Sequence, residues 1–191
     1  DPWVRSIAKL LQDSEIQILL IDTNYSHVAK ARMQGLPAHC ASILSEFVEE
    51  EMDLAGIGRL LAVTPNDEVN ALAVREIAHI FGRRNVYQIA PENSASGRRR
   101  RSVGDRLRGR VLFQQGLGFA QLNRMVEDGA AMKRVTLSET YRFDDFRRMN
   151  GPAALVLFLI DAKRKLHVAA TDAPLTPKSG DTLFAIVPMQ P

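Results

Sequence analysis

The sequence predicts an α/β fold, a parallel sheet covered by helices, followed by a small β-rich C-terminal module. Three observations carry this. Over the first two thirds of the chain, short apolar runs alternate with amphipathic stretches of about 10–15 residues, the pattern of βαβ units. Runs such as Ile18-Leu19-Leu20-Ile21 lack polar alternation, as strands buried on both faces do. From about residue 133 the helical spacing gives way to strand-like runs separated by turn signals. The 191 residues, 46% hydrophobic, suffice for one full core or for a core plus a small second domain.

The elements follow in order. Residues 3–12 read as a helix, with Trp3, Ile7, Leu10 and Leu11 on one stripe and Pro2 suited to a first helical position. Residues 16–21 read as a strand. Ser26 can cap a helix running to about Gln34, which Gly35 ends. A short strand is expected at 36–40, with Cys40 as a buried strand residue. An acidic amphipathic helix is expected at 45–54, with Glu49-Glu50-Glu51 as its exposed face, followed by Gly56. Residues 59–63 form a strand, 67–81 a helix ended by Gly82, and 85–89 a strand. Residues 91–110 are rich in Gly, Ser and Arg and read as a loop. Residues 110–113 suit a last strand, and 117–127 a helix that packs on the sheet, pairs with a second copy, or does both. Strands are then expected near 135–137, 154–160, 166–169 and 182–187, with no long helix among them. The domains are thus 1–128, including the Arg-rich loop 91–110, and 133–191. A module of that size is marginal alone and gains from docking or dimerisation.

Composition narrows the function classes. Net charge is +3, yet residues 98–110 hold seven arginines and one acid, a local +6 that leaves the remainder at about −3. The run Arg98-Arg99-Arg100-Arg101 reads first as a solvated loop. No aromatic residues interleave it, so nucleic acid is not expected, and anionic lipid is the partner it would take beside a membrane. One cysteine, Cys40, rules out an internal disulfide. The longest strongly apolar run is the eight residues 153–160, against about 20 for a spanning helix, and nothing at the start resembles a signal peptide. The chain reads as soluble, either by itself or as the soluble part of a larger membrane protein. His39 and Cys40 lack further ligands for a metal, His27, His79 and His167 are scattered without a role, and hydrolase and kinase motifs are absent.

The chemistry gathers at strand ends. In a parallel α/β sheet ligands bind beyond the carboxyl ends of the strands, and an acid at the end of the second strand is the usual partner of a ribose hydroxyl. Ile18-Leu19-Leu20-Ile21 stops at Asp22-Thr23-Asn24, where Asp22 reads either as a ribose acid or as a cap for the next helix. Leu60-Leu61-Ala62-Val63 stops at Thr64-Pro65-Asn66-Asp67, with Asn70 one turn on; capping explains Asn66 or Asp67 but not the whole cluster. Ala41-Ser42-Ile43, after the short third strand, sits where an adenine edge lies if Asp22 holds a ribose. The candidate ligand residues are therefore Asp22, Thr23, Asn24, Ala41, Ser42, Thr64, Asn66, Asp67 and Asn70.

The run from Ile18 to Asp22, then Gly35-Leu36-Pro37, Leu54-Ala55-Gly56-Ile57 and Thr64 to Asn70 resembles the TrkA-N family, the regulator-of-potassium-conductance (RCK) domains, over roughly residues 3–128. Gly180-Asp181-Thr182-Leu183 resembles the Gly-Asp turn of the TrkA-C module. The run Leu60 to Asn70 is most similar to the cytoplasmic C-terminal part of bacterial cation/proton antiporters. The resemblance implies a Rossmann-like sheet, a homodimer, and binding of an adenine nucleotide (AMP or ATP) or NAD(H). It further implies a regulatory, non-catalytic role on a Na⁺ or K⁺ transporter domain in the same or another chain, at the cytoplasmic side of the inner membrane. Asp22 matches the ribose acid.

Two departures stand beside this resemblance. His39-Cys40-Ala41 replaces the family's Gly-Asp-Ala. Asp1 and Val4 take the second and third glycine positions of the phosphate loop, where a carboxylate repels pyrophosphate and a valine crowds the helix–strand contact. A mononucleotide or no ligand thus stays open. The strand preceding that loop, central in the order 3-2-1-4-5-6, is absent from the sequence; it is expected upstream or supplied by another chain, and strands two and four are expected not to pair directly. The alternatives are an NAD(P)-dependent oxidoreductase, for which Tyr25, Tyr87 and Tyr141 lack catalytic spacing, and a structural dimerisation module without ligand.

Overall fold

The structure is a computed structural model that describes residues 1–45, 48, 52–92 and 109–189. Its elements are α1 (Pro2–Gln12), β1 (Leu20–Asp22), α2 (Tyr25–Met33), β2 (Ala38–Cys40), β3 (Leu60–Ala62), α3 (Asp67–Phe81), β4 (Val86–Gln88), β5 (Arg110–Val111), α4 (Phe119–Glu127), β6 (Ala131–Thr136), α5 (Phe143–Asn150), β7 (Leu155–Ile160), β8 (Leu166–Val168) and β9 (Thr182–Val187). A parallel α/β part and an antiparallel module are both present, as the sequence predicts. Most of the acidic helix expected at 45–54 and the arginine run Arg98–Arg101 lie outside the described residues.

The parallel part consists of two half-sheets. One pairs β1 with β2; the other has the order β3-β4-β5. Among the described residues no ladder joins β1 to β3, as expected for a sheet whose central strand is missing. This shortens β1: residues 16–19, expected in the strand, border the gap and have no partner on that side. Helix α1 spans the division. Its Ala8 packs with Val28, Ala31, Leu36 and Ala38 of the first half, while Trp3, Ile7 and Leu11 pack with Tyr87, Ile89 and Leu112 of the second.

Local signals explain the helix ends. Asn24, not Ser26, caps α2: in extended backbone, its Oδ1 accepts from the amides of Ser26 and His27. Gly35 follows with φ +74°, a conformation that costs glycine nothing. Cys40 is exposed rather than buried, its sulfur lying 3.6 Å from the Thr23 carbonyl beyond the end of β1.

The C-terminal sheet has the order β6-β9-β7-β8, all antiparallel. Its faces follow strand alternation. Leu183, Ala185 and Val187 of β9 join Leu159 and Phe146 of α5 on one side, whereas Phe184 and Ile186 face the parallel part. A register shift between Val156 and Phe158 lets Leu157 and Phe158, adjacent in sequence, both join the inner cluster. Helix α5 was not expected from the sequence. It is only eight residues long; Asp145 accepts from the Arg142 amide at its start, and Gly151 at φ +76° ends it.

The two parts share one core, in which Trp3, Phe113, Leu122, Phe158 and Ile186 all take part. Their backbones also join: Phe113 N donates to Ala169 O at 2.9 Å and Thr171 N to Val111 O at 3.0 Å. Arg110 donates from Nε to both oxygens of Asp172 and from Nη1 to the Tyr87 hydroxyl at 3.0 Å. The hydrogen bond to Asp172 raises the pKa of this guanidinium above its ordinary value, so the Arg110 side of the link is always charged.

The turn from β7 to β8 is expected to be acid-sensitive. Asp161 accepts from the Lys163 and Lys165 amides, and its Oδ2 lies 2.9 Å from His167 Nε2. The His167 hydrogen bond, followed by the backbone amides, lowers the carboxyl below its ordinary value. A lowered folded pKa gives stability that is present above the unfolded value and lost as pH falls through the folded one. Acid titration followed by circular dichroism is therefore expected to show Asp161→Asn losing less stability than the parent below about pH 4. Equal acid sensitivity of the two proteins would contradict this.

Candidate nucleotide site

The site is built where β1 and β3 end. Asp22 closes β1 and is partly exposed, its side chain at 38%. Its Oδ1 accepts from the Asn24 amide at 2.8 Å, and its Oδ2 lies 2.9 Å from His27 Nδ1. The carboxylate is thus held in one orientation by its own turn and by the first turn of α2, with lone pairs to spare on both oxygens. His27, for which the sequence pattern offered no role, is the partner of the principal candidate. The signal was the spacing: a histidine three residues past an N-cap faces back toward the strand end.

At the end of β3 the hydrogen bonds are mostly internal. Asn70, 1% exposed, donates from Nδ2 to Thr64 O at 2.9 Å, and its Oδ1 accepts from the Thr64 amide at 3.0 Å and hydroxyl at 2.8 Å. Thr64 Oγ1 in turn accepts from the Asn66 amide at 3.2 Å. Asn66 caps α3, its Oδ1 accepting from the Glu68 and Val69 amides at 2.9 and 3.1 Å. Asp67 Oδ2 accepts from the Glu92 amide at 3.1 Å. In this arrangement Asn70 clamps the loop, and Thr64 keeps an acceptor lone pair while its proton is committed. Replacing Asn66 with alanine is expected to cost about 1 kcal/mol through loss of the cap. Thermal melting tests this, and an unchanged midpoint would show that the cap does not matter.

Past β2, Ala41 donates from its amide to Asp22 O at 3.2 Å, and Ser42 Oγ accepts from the Leu44 amide at 3.2 Å. A cavity of about 1190 Å³ connects these strand ends. Asp22, Thr23, Ala41, Ser42, Thr64, Asn66 and Asn70 all line it. Asn24 and Asp67 do not; they serve the helix N-terminus and the Glu92 amide respectively. The cavity continues inward between the half-sheets, where its walls are apolar. Nothing among the described residues forms a cluster of three or more potential metal-ligating His, Cys, Asp or Glu side chains. No helix among them is long and apolar enough to cross a membrane.

The chain is similar to the solved structure entitled "Crystal Structure of the GsuK RCK domain" at 11% identity and a TM-score of 0.33. That similarity covers 88% of this chain and 43% of the other, so the chain spans less than half the length of that protein. No curated protein matches. The TrkA-N domain family matches residues 4–101, which take in α1, both half-sheets as far as β4, and all the candidate residues from Asp22 to Asn70. Since this match extends over more than half of the 191 residues, the chain belongs to the TrkA-N family.

Proposed function

We infer that the chain is a ligand-sensing regulatory domain of a monovalent-cation transport system, one that binds an adenine nucleotide or NAD(H) and catalyses no reaction. The observation that supports this best is the oriented carboxylate of Asp22, at the end of β1, opening on the same cavity as the Thr64–Asn66 turn at the end of β3. A carboxylate with free lone pairs on both oxygens suits the two adjacent hydroxyls of a ribose. The Thr64 lone pair suits the neighbouring polar side of the ligand. Ala41 and Ser42 border the position of a base.

In this reading the chemistry is linkage. Ligand favours one geometry of a homodimer, and that geometry biases an attached Na⁺ or K⁺ transporter domain, such as a cation/proton antiporter, at the cytoplasmic face of a membrane. Phe119 and Leu122 of α4 are already spent on the chain's own core, so dimer contacts fall to its remaining face and to the C-terminal module. Arg98–Arg101 would meet anionic lipid in that setting.

Isothermal titration calorimetry with AMP, ATP, NAD and NADH tests the reading. Saturable heat and a raised melting temperature with at least one of them is the expected result. No heat and no shift with all four would leave a structural dimerisation module. Turnover of NADH with simple carbonyls would make the protein an oxidoreductase.

A further inference from the structure

A second cavity, of about 820 Å³, lies where the C-terminal sheet meets the parallel part. The pairing of β7 explains it. β8 pairs with β7 only from Phe158 to Ile160, whereas β9 continues along β7 to Leu155. After Val168 the chain makes one more bond to β7, from Ala169 N to Leu157 O at 2.9 Å. It then crosses to β5, where Thr171 N donates to Val111 O at 3.0 Å. Leu155 and Val156 are therefore left without a strand on that side, and α5, the β5–α4 connection and residues 174–177 wall the space instead. The walls are mainly apolar. Leu117, Met125, Leu155 and Leu175 pack against the core yet stay only partly buried, because each keeps a side on this cavity. No acid lines it among the described residues, and its single charged side chain is Arg147 of α5. Two contacts hold that guanidinium: Nη1 donates to Ala154 O at 2.9 Å, and the group lies 5.1 Å from the centre of the Phe143 ring. Neither supplies a full counter-charge. Asp145, two residues before it, accepts from the Arg142 amide and pairs with Arg148 instead. Phe113, buried at the cavity wall, is held at φ +64° in a turn closed by Gln114 N to Leu112 O at 3.0 Å. An aromatic residue rarely adopts this conformation, and such backbone outliers cluster at ligand sites.

We propose that this cavity binds a small amphipathic monoanion, an acyl chain or aromatic ring of about ten non-hydrogen atoms that carries one carboxylate. The apolar walls take the hydrocarbon. Arg147 takes the carboxylate through the N–H groups it does not spend on Ala154. A guanidinium already fixed by a carbonyl and a ring loses little freedom when it pairs. One cation without a second matches a single negative charge better than a phosphate dianion. Apart from Arg147, only Gln114, Gln115 and Thr171 line the cavity with polar side chains, too few for the hydroxyls of a sugar. The volume falls in the range of about 300–1,000 Å³ that small-molecule sites occupy. This inference is independent of the nucleotide reading, since none of the strand-end residues around Asp22 and Thr64 lines this cavity.

Isothermal titration calorimetry and amide NMR of the 191-residue chain test it with two pairs of probes, octanoate against octanol and benzoate against benzyl alcohol. At least one carboxylate is expected to bind saturably with a Kd below about 1 mM, and its alcohol at least about tenfold more weakly. Amide shifts are expected at Gln114, Gln115 and residues 153–156 rather than at residues 18–22 and 59–63, which line the larger cavity. Arg147→Gln is expected to weaken the carboxylate at least about tenfold and to leave the alcohol unchanged. If that variant does not fold, the ratio of carboxylate to alcohol affinity in the parent, together with the position of the shifts, decides the matter. No saturable binding by either carboxylate overturns the proposal. So does equal binding of acid and alcohol, or shifts centred on 18–22 and 59–63. A dimer that Arg147→Gln dissociates, with no carboxylate bound, overturns it as well and makes the cavity wall an interface between copies of the chain.

Discussion

Asp22→Ala is expected to lower nucleotide affinity by about a hundredfold or more. Hydrogen bonds to a charged group are worth about 1.5–3 kcal/mol each, and a ribose would make two of them with this carboxylate, while about 1.4 kcal/mol is a factor of ten. The effect on folding is expected to be small. The His27 pair is half exposed, with side chains at 34% and 38%, and solvent screens it. The Asn24 amide that loses its acceptor is open to water. Asp22→Asn separates charge from shape: it retains one acceptor oxygen and should lose less affinity than alanine. Calorimetry with the best-binding nucleotide, beside thermal melting of each variant, reads both quantities. Unchanged affinity in Asp22→Ala with a normal melting curve would remove Asp22 from the site and with it the main support for the functional reading.

His27 qualifies this expectation. Its imidazole occupies one side of Asp22 Oδ2. A ribose bound to Asp22 would therefore share that oxygen with the ring or displace it. The sequence showed the acid but not its partner, because the contact is made only when the Asn24 cap turns α2 back over the strand end. The same kind of limit explains the other differences. Asn66 and Asn70 look alike in sequence, two polar residues after a strand, yet one caps a helix in solvent and the other is buried as a clamp on Thr64. Helix α3 matched its expected ends, since a capping Asn and a Gly at φ +79° mark both termini locally. Helix α5 escaped because its eight residues carry only three apolar side chains, Phe143, Phe146 and the exposed Met149, and its stability comes from the sheet that Phe146 packs against. The missing strand was legible because a distance rule, not local pattern, exposes it: a ribose acid at residue 22 needs a strand about 20 residues earlier.

The largest loss of stability is expected from Phe158→Ala. Phe158 is 1% exposed and meets Phe113 edge-on, with ring centroids 5.7 Å apart and planes at 84°. Removing a buried aromatic ring costs about 3–5 kcal/mol, comparable to a large part of the total stability of a domain. The location gives the loss a second consequence. Phe158 belongs to the strand that faces the parallel half-sheets, and the register shift before it brings Leu157 and Phe158 into that same interface. The C-terminal module is too small to be secure alone, so the shared core is what allows both parts to unfold together. The parent protein is expected to melt in one transition followed equally by far-ultraviolet circular dichroism and by the fluorescence of Trp3, the only tryptophan and itself part of this core. In Phe158→Ala the Trp3 signal and the ellipticity should separate, because the cavity opens between the parts while α5 still covers the far face of the module through Phe146. Coincident transitions at a lowered midpoint would mean that the module and the half-sheets remain one cooperative unit without the ring. An unchanged midpoint would mean that the interface does not hold the parts together. Arg110, which links β5 to Asp172 at the rim, would then be the next residue to remove, since it bridges the parts without contributing to the core.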